Sequence, residues 1–125
     1  TINNLKVPVV SIVEGAAASA ATLISIVCDQ RLIHQNAYML IHQLSSSYWG
    51  KMDQIEEEIT NLKELMEKIK QIYKNHSNIN NQQIDDILKH DYWWNAQTCI
   101  QHGLVDQIIN NQKLFQFQQD ISEFK

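Results

Sequence analysis

The chain is predicted to fold as a single α/β domain, on three observations. A β-branched run, Val7-Pro8-Val9-Val10-Ser11-Ile12-Val13, ends at Glu14-Gly15 and reads as a buried strand. Two further apolar runs, Arg31-Leu32-Ile33-His34 and Tyr38-Met39-Leu40-Ile41-His42, read as strands. Between and after them lie segments with helical periodicity, the longest covering about residues 51-75. The nearly continuous apolar character of the first strand points to a parallel sheet covered on both faces.

Taken in order, the first strand leads into Ala16 to Cys28, expected to be a helix whose opening Ala-Ala-Ala-Ser-Ala-Ala lets another backbone approach closely. Asn36 supplies the turn between the next two strands, and Ser45-Ser46-Ser47 supplies cap chemistry before the long helix. In that helix Met52, Ile55, Ile59, Leu62, Met66, Ile69 and Tyr73 are spaced 3, 4, 3, 4, 3, 4, a seven-residue repeat held for three heptads. Leu65 and Ile72 widen the stripe, while Glu56, Glu57, Glu58, Lys63, Glu64, Lys68 and Lys70 solvate the rest. Such a seam fits a similar partner helix, and equally fits a surface helix lying on its own core. A polar break from His76 to Asn81 precedes a short helix, Gln82 to Lys89. A loop with Asp91 follows, then a helix opened by Asn95 as N-cap and closed by Gly103 as the C′ residue. Leu104 to Ile109 returns as a strand, and residues 110-125 are expected to be a polar tail, docked or frayed.

Composition narrows the function. The 125 residues carry 10 basic and 14 acidic side chains, a net charge of -4, which excludes binding driven by phosphate neutralisation. No nucleic-acid partner is therefore expected. The longest uncharged apolar run, Ala16 to Cys28, is too short to span a bilayer and lacks the basic flank of a signal peptide, so no membrane partner is expected either. Cys28 and Cys99 stand far apart in no spaced motif, which fits a reducing compartment. His34 and His42 are eight residues apart, and Cys99 and His102 have no second pair, so no metal and no cofactor are expected. Asn and Gln make up 25 of the 125 residues, the chain begins at Thr1, and 3 Gly with 1 Pro leave little turn chemistry. These features suggest a piece of something larger.

Three side chains could carry chemistry. Ser19 follows a buried strand, Glu14-Gly15 and small residues, near the start of a helix, where backbone N–H groups and the positive end of the dipole converge. A nucleophilic hydroxyl there would have oxyanion stabilisation at hand, although a first-turn serine alone reads as a cap. His42 ends an apolar strand and by alternation shares a face with Tyr38 and Leu40. Alone it reads as a hydrogen-bonded core residue, and Asp91 alone as a turn residue.

Their order carries more than any one of them. Gly15-Ala16-Ala17-Ala18-Ser19-Ala20, Met39-Leu40-Ile41-His42-Gln43, Asp91-Tyr92-Trp93-Trp94-Asn95-Ala96 and His102-Gly103-Leu104-Val105-Asp106 form a series. It resembles the ClpP family, the proteolytic subunits of the ATP-dependent Clp protease, over about Val7 to Ile109. The resemblance implies the ClpP/crotonase fold, with repeated β-β-α units and a protruding handle helix at about residues 51-75. It divides the chain into a peptidase domain at 1-109, lacking its N-terminal part, and a tail at 110-125. It implies a serine endopeptidase that cuts unfolded polypeptides to short peptides, with Ser19 as nucleophile, His42 as general base and Asp91 holding the imidazole. The backbone N–H of Ala20 would be one oxyanion donor. The handle residues Met52, Ile55, Ile59, Leu62, Met66, Ile69 and Tyr73 would join stacked heptameric rings into a tetradecamer. The implied partner is a Clp-type AAA+ unfoldase, and the implied location the cytoplasm, or a stroma or matrix in a eukaryote.

The sequence departs from the family pattern in places. Leu44-Ser45-Ser46-Ser47-Tyr48-Trp49-Gly50 stands where proline and a glycine-rich stretch usually follow the histidine and glutamine, Thr98 where glutamate is common, and Trp93 and Trp94 are bulky beside the acid. The family's upstream strands and paired glycines, which supply the second oxyanion donor, have no counterpart before Thr1. Loss of such a donor costs on the order of 10²–10³ in rate, so the isolated chain is expected to be poorly active. Two alternatives remain at this point: a crotonase-like acyl-CoA enzyme, which would need neither His42 nor Asp91, and a catalytically weak paralogue that co-assembles with a full-length subunit.

Overall fold

The computed structural model describes residues 2, 7–18, 20–45 and 47–123. The described chain alternates pairs of strands with helices. β1 (Val10–Val13) and β2 (Ala16–Ala18) precede α1 (Ala20–Ile26), and β3 (Gln30–His34) and β4 (Tyr38–Ile41) precede α2 (Met52–His76). Then come α3 (Asn81–Leu88), β5 (Tyr92–Asn95), α4 (Ala96–Gln101), β6 (Gln107–Ile109) and α5 (Asn111–Ser122). Each β-β-α unit gives one strand to each of two small sheets, ordered β1-β3-β6 and β2-β4-β5. All pairings are parallel except β4 with β5. The fold is thus the mixed α/β arrangement the sequence predicts.

Three expectations about strands are corrected. Ala16–Ala18 is a strand and not the start of a helix. Alanine favours helix, but pairing with Tyr38, Met39 and Leu40 fixes these residues as extended chain, an instance of tertiary context overriding a weak propensity. Among the described residues the first strand is an edge strand, with Val10 exposed and only Val13 buried, so it is not covered on both faces there. The segment after Asp91 is a strand, β5, held against β4 by four residue pairs.

The serines at 45–47 do not cap α2, which opens at Lys51, whose N–H donates to the Gln54 side chain at 2.9 Å; several other local signals act as read. Asn95 caps α4 by accepting from the Thr98 N–H at 2.9 Å. Asn80 and Asn110 do the same for α3 and α5, each accepting from the N–H three residues on at 2.9 Å. Capping thus accounts for part of the Asn excess. Gly103 ends α4 at φ 73°, a left-handed conformation that glycine adopts without a Cβ penalty. Residues 111–122 form a helix, α5, within the segment expected to be a polar tail, docked or frayed.

The core lies between the sheets and the helices. Ile26, Ile33, Met39, Ile41, Ile84, Cys99 and Leu104 are fully enclosed there. The heptad seam of α2 divides along its length. Its C-terminal part packs on this core through Met66, Ile69 and buried Tyr73, whereas Met52 and Ile59 remain exposed. Lys70 ties α2 to α3 through Asp85 at 2.9 Å. The hydrogen bond that Lys70 donates to the Asp85 carboxylate raises the Lys70 ammonium above its ordinary range and lowers the Asp85 carboxyl.

Candidate active site

β4 is the strand on which the site is built. Met39 and Ile41 are fully buried, and the alternate positions Tyr38 and Leu40 face outward, so His42, the next residue, continues the outward face. β5 runs antiparallel with Leu40 opposite Trp93 and Ile41 opposite Tyr92. His42 follows and Asp91 precedes this last pair, so two residues 49 positions apart in sequence lie at the same end of the sheet.

His42 is half-buried, and Asp91 is exposed. The His42 Nδ1 lies 2.6 Å from the Gln43 carbonyl oxygen. A carbonyl only accepts, so Nδ1 carries the hydrogen and Nε2 is the basic nitrogen. In this conformation the Gln43 carbonyl fixes the tautomer that Asp91 was expected to fix. Gln43 is itself held by its N–H, which donates to the Leu88 carbonyl at 3.1 Å.

On the other side of β4 lies β2, with Ala18 opposite Leu40. Ser19 follows Ala18 in sequence and lies outside the described residues. Ala20 opens α1. Thr22, fully buried in the first turn of α1, directs its hydroxyl to the Ala17 carbonyl at 3.0 Å and the Leu40 carbonyl at 3.1 Å. It thereby ties the helix to both strands beside the site. Sequence reasoning missed Thr22, although a β-branched hydroxyl residue inside an otherwise apolar small-residue helix was the available signal.

A cavity of about 300 Å³ opens against His42, walled mainly by apolar side chains, among them Leu23, Leu40, Leu44 and Ile69. Tyr73 also lines it. Burial pushes the Tyr73 phenol well above its ordinary range, so it stays neutral. Tyr73 and Ile69 thus serve the cavity as well as the helix seam to which the sequence assigns them.

A profile of the Clp protease family matches residues 1–112. The chain belongs to the Clp protease family. It is 32% identical over 118 residues to the ATP-dependent Clp protease proteolytic subunit of Streptococcus suis, covering 91% of this chain and 60% of that protein. It is 29% identical over 114 residues to the corresponding subunit 2 of Treponema denticola, covering 90% and 57%. With the subunit of Deinococcus radiodurans it shares 25% identity over 112 residues, covering 88% and 55%. The chain therefore spans somewhat under two thirds of the length of these relatives. The two-layer arrangement of small sheets agrees with the Clp protease fold. The family match ends at the first turn of α5, so most of that helix lies beyond it.

Proposed function

We propose that this chain is the peptidase part of a Clp-type proteolytic subunit, hydrolysing unfolded polypeptides with Ser19 as nucleophile, His42 as general base and Asp91 as its orienting carboxylate. The observation that carries this reading is the β4–β5 register, which brings His42 and Asp91 to one sheet end beside an apolar cavity. In the reaction, Ser19 Oγ attacks the substrate carbonyl while His42 Nε2 takes its proton. The imidazolium then protonates the leaving amine, and water reverses the sequence to release the acyl group. The carboxylate of Asp91 displaces the Gln43 carbonyl at Nδ1–H and stabilises the imidazolium. The Ala20 N–H is one oxyanion donor. The cavity wall suits an apolar substrate side chain next to the scissile bond.

Assembly follows the same reading. The exposed N-terminal half of α2, with Met52, Ile55, Ile59 and Leu62 along one stripe, is the part of the seam left for a second copy in stacked rings. A Clp-type AAA+ unfoldase is the partner, as the name of the relatives, ATP-dependent, suggests. No described helix is long and apolar enough to cross a membrane, and we assign the protein to the cytoplasm or an organelle matrix.

The test is a fluorophosphonate probe followed by mass mapping. Labelling is expected at Ser19 in the wild-type chain and is lost in His42→Ala. Labelling that survives the loss of His42, or that falls on another residue, overturns the assignment.

A further inference from the structure

Asp91 immediately precedes an edge strand. Among the described residues β5 is hydrogen-bonded to β4 on one side only, so something besides the ladder must keep its end from fraying. A row of ring contacts, tilted at His90–Tyr92 and stacked beyond, runs past the acid. His90 and Tyr92, its two chain neighbours, have ring centroids 5.2 Å apart. Tyr92 and Trp94 follow at 6.4 Å with planes 19° apart, and Trp94 and His102 at 4.2 Å and 23°. Within β5, Tyr92 and Trp94 alternate with Trp93, placing their rings on the sheet face away from Asp91 and toward buried Met39 and Ile41. Trp94 packs against the core. The last ring is anchored too: His102 donates its Nδ1 hydrogen to the Thr98 carbonyl at 2.9 Å, at the C-terminus of α4.

We propose that Tyr92, Trp94 and His102 are positioning residues for Asp91, a ring stack that fastens β5 to α4 and keeps the carboxylate in register with His42. The proposal rests on the peptidase reading given above. The rings touch neither substrate nor the reacting atoms; they act through Asp91. An acid held only by a frayed strand end would spend most of its time out of reach of the imidazole, and misplacement by about 1 Å can cost on the order of 10²-fold in rate.

The experiment measures the second-order rate of fluorophosphonate labelling at Ser19 against pH, in the full chain and in Asp91→Asn, Tyr92→Leu, Trp94→Leu and Trp94→Phe. Asp91→Asn, which removes the carboxylate, is expected to shift the inflection and lower the plateau. Tyr92→Leu and Trp94→Leu are expected to move the inflection in the same direction, with plateaus lowered on the order of 10-fold. Trp94→Phe, which keeps a ring in the stack, restores both. A merely structural role would reduce the fraction of protein that labels and leave the inflection in place. An unmoved inflection in both leucine variants, alongside a moved one in Asp91→Asn, overturns the proposal. Should Trp94→Leu fail to fold by circular dichroism, Tyr92→Leu decides, because Tyr92 is 38% exposed and tolerates truncation. An Asp91→Asn variant that labels like wild type would instead overturn the peptidase reading.

Discussion

Replacing Asp106 by alanine should lower stability by about 2 kcal/mol, between the roughly 0–1 kcal/mol of an exposed ion pair and the roughly 3–5 kcal/mol for breaking a buried one. The figure follows from the surroundings of Arg31. Its side chain is only 14% exposed, and its Nη2 meets Asp106 Oδ1 at 2.8 Å. Nε lies 3.3 Å from both carboxylate oxygens, and the Arg31 backbone N–H donates to Oδ2 at 2.9 Å. The Asp106 side chain is 45% exposed, so water recovers part of what it loses. The guanidinium recovers less, keeping, among the described residues, the carbonyls of Ile26 and His76. Because those carbonyls end α1 and α2, the loss loosens two helices against β3. Urea unfolding followed by tryptophan fluorescence should show the midpoint falling by about 1 M, given a slope of roughly 2 kcal/mol/M. Asp106→Asn, which keeps an acceptor for the backbone N–H, should lose about half as much.

The pH dependence has a definite sign. The hydrogen bond from Arg31 holds the Asp106 carboxyl below its ordinary value. Its contribution is therefore complete above the unfolded value of about 4 and disappears as pH falls through the lower folded one. The gap between wild type and Asp106→Ala should narrow below about pH 4. A loss under about 0.5 kcal/mol at pH 7, of the size seen for ordinary surface substitutions, would refute the reasoning, as would a gap that widens in acid.

Two further outcomes follow from single sites. Gly103→Ala forces an L residue to φ +73° and sets a Cβ 2.9 Å from the Asn78 nitrogen, so thermal melting should fall by roughly 5 °C or more; an unchanged midpoint would show that the turn relaxes freely. Burial pushes the Cys99 thiol up to about 12, so at pH 8 only about one in 10⁴ is ionised and iodoacetamide should modify it in urea but not in the native protein; equal rates in the two states would contradict its burial.

How much of this was legible beforehand depended on where the determinants lie in the chain. The long helix was legible because three heptads repeat the same spacing locally, and so were Asn95 and Gly103, whose roles are set by neighbours within four residues. The strand Ala16–Ala18 was not, because its extended form comes from Tyr38 to Leu40, about twenty residues away. β5 was hidden for the same reason: four residues of strand, two of them tryptophan, take their conformation from β4. The helix at 111–122 could have been found from Asn110, which caps it as Asn95 caps α4. For the site, the order of the motifs singled out His42 and Asp91, and the β4–β5 pairing that ends beside both is tertiary information. The division of labour within the α2 seam, part core and part surface, was likewise beyond a periodicity that repeats identically along both halves.

His42 and Asp91 are proposed to act as one unit, and a double-mutant cycle on the fluorophosphonate labelling rate tests this most directly. Residues of one catalytic unit are strongly non-additive. Once His42→Ala has removed the base, adding Asp91→Asn should change the rate no further. If the two losses instead multiply, the carboxylate acts independently of the imidazole, and the paired strand ends do not form a catalytic site.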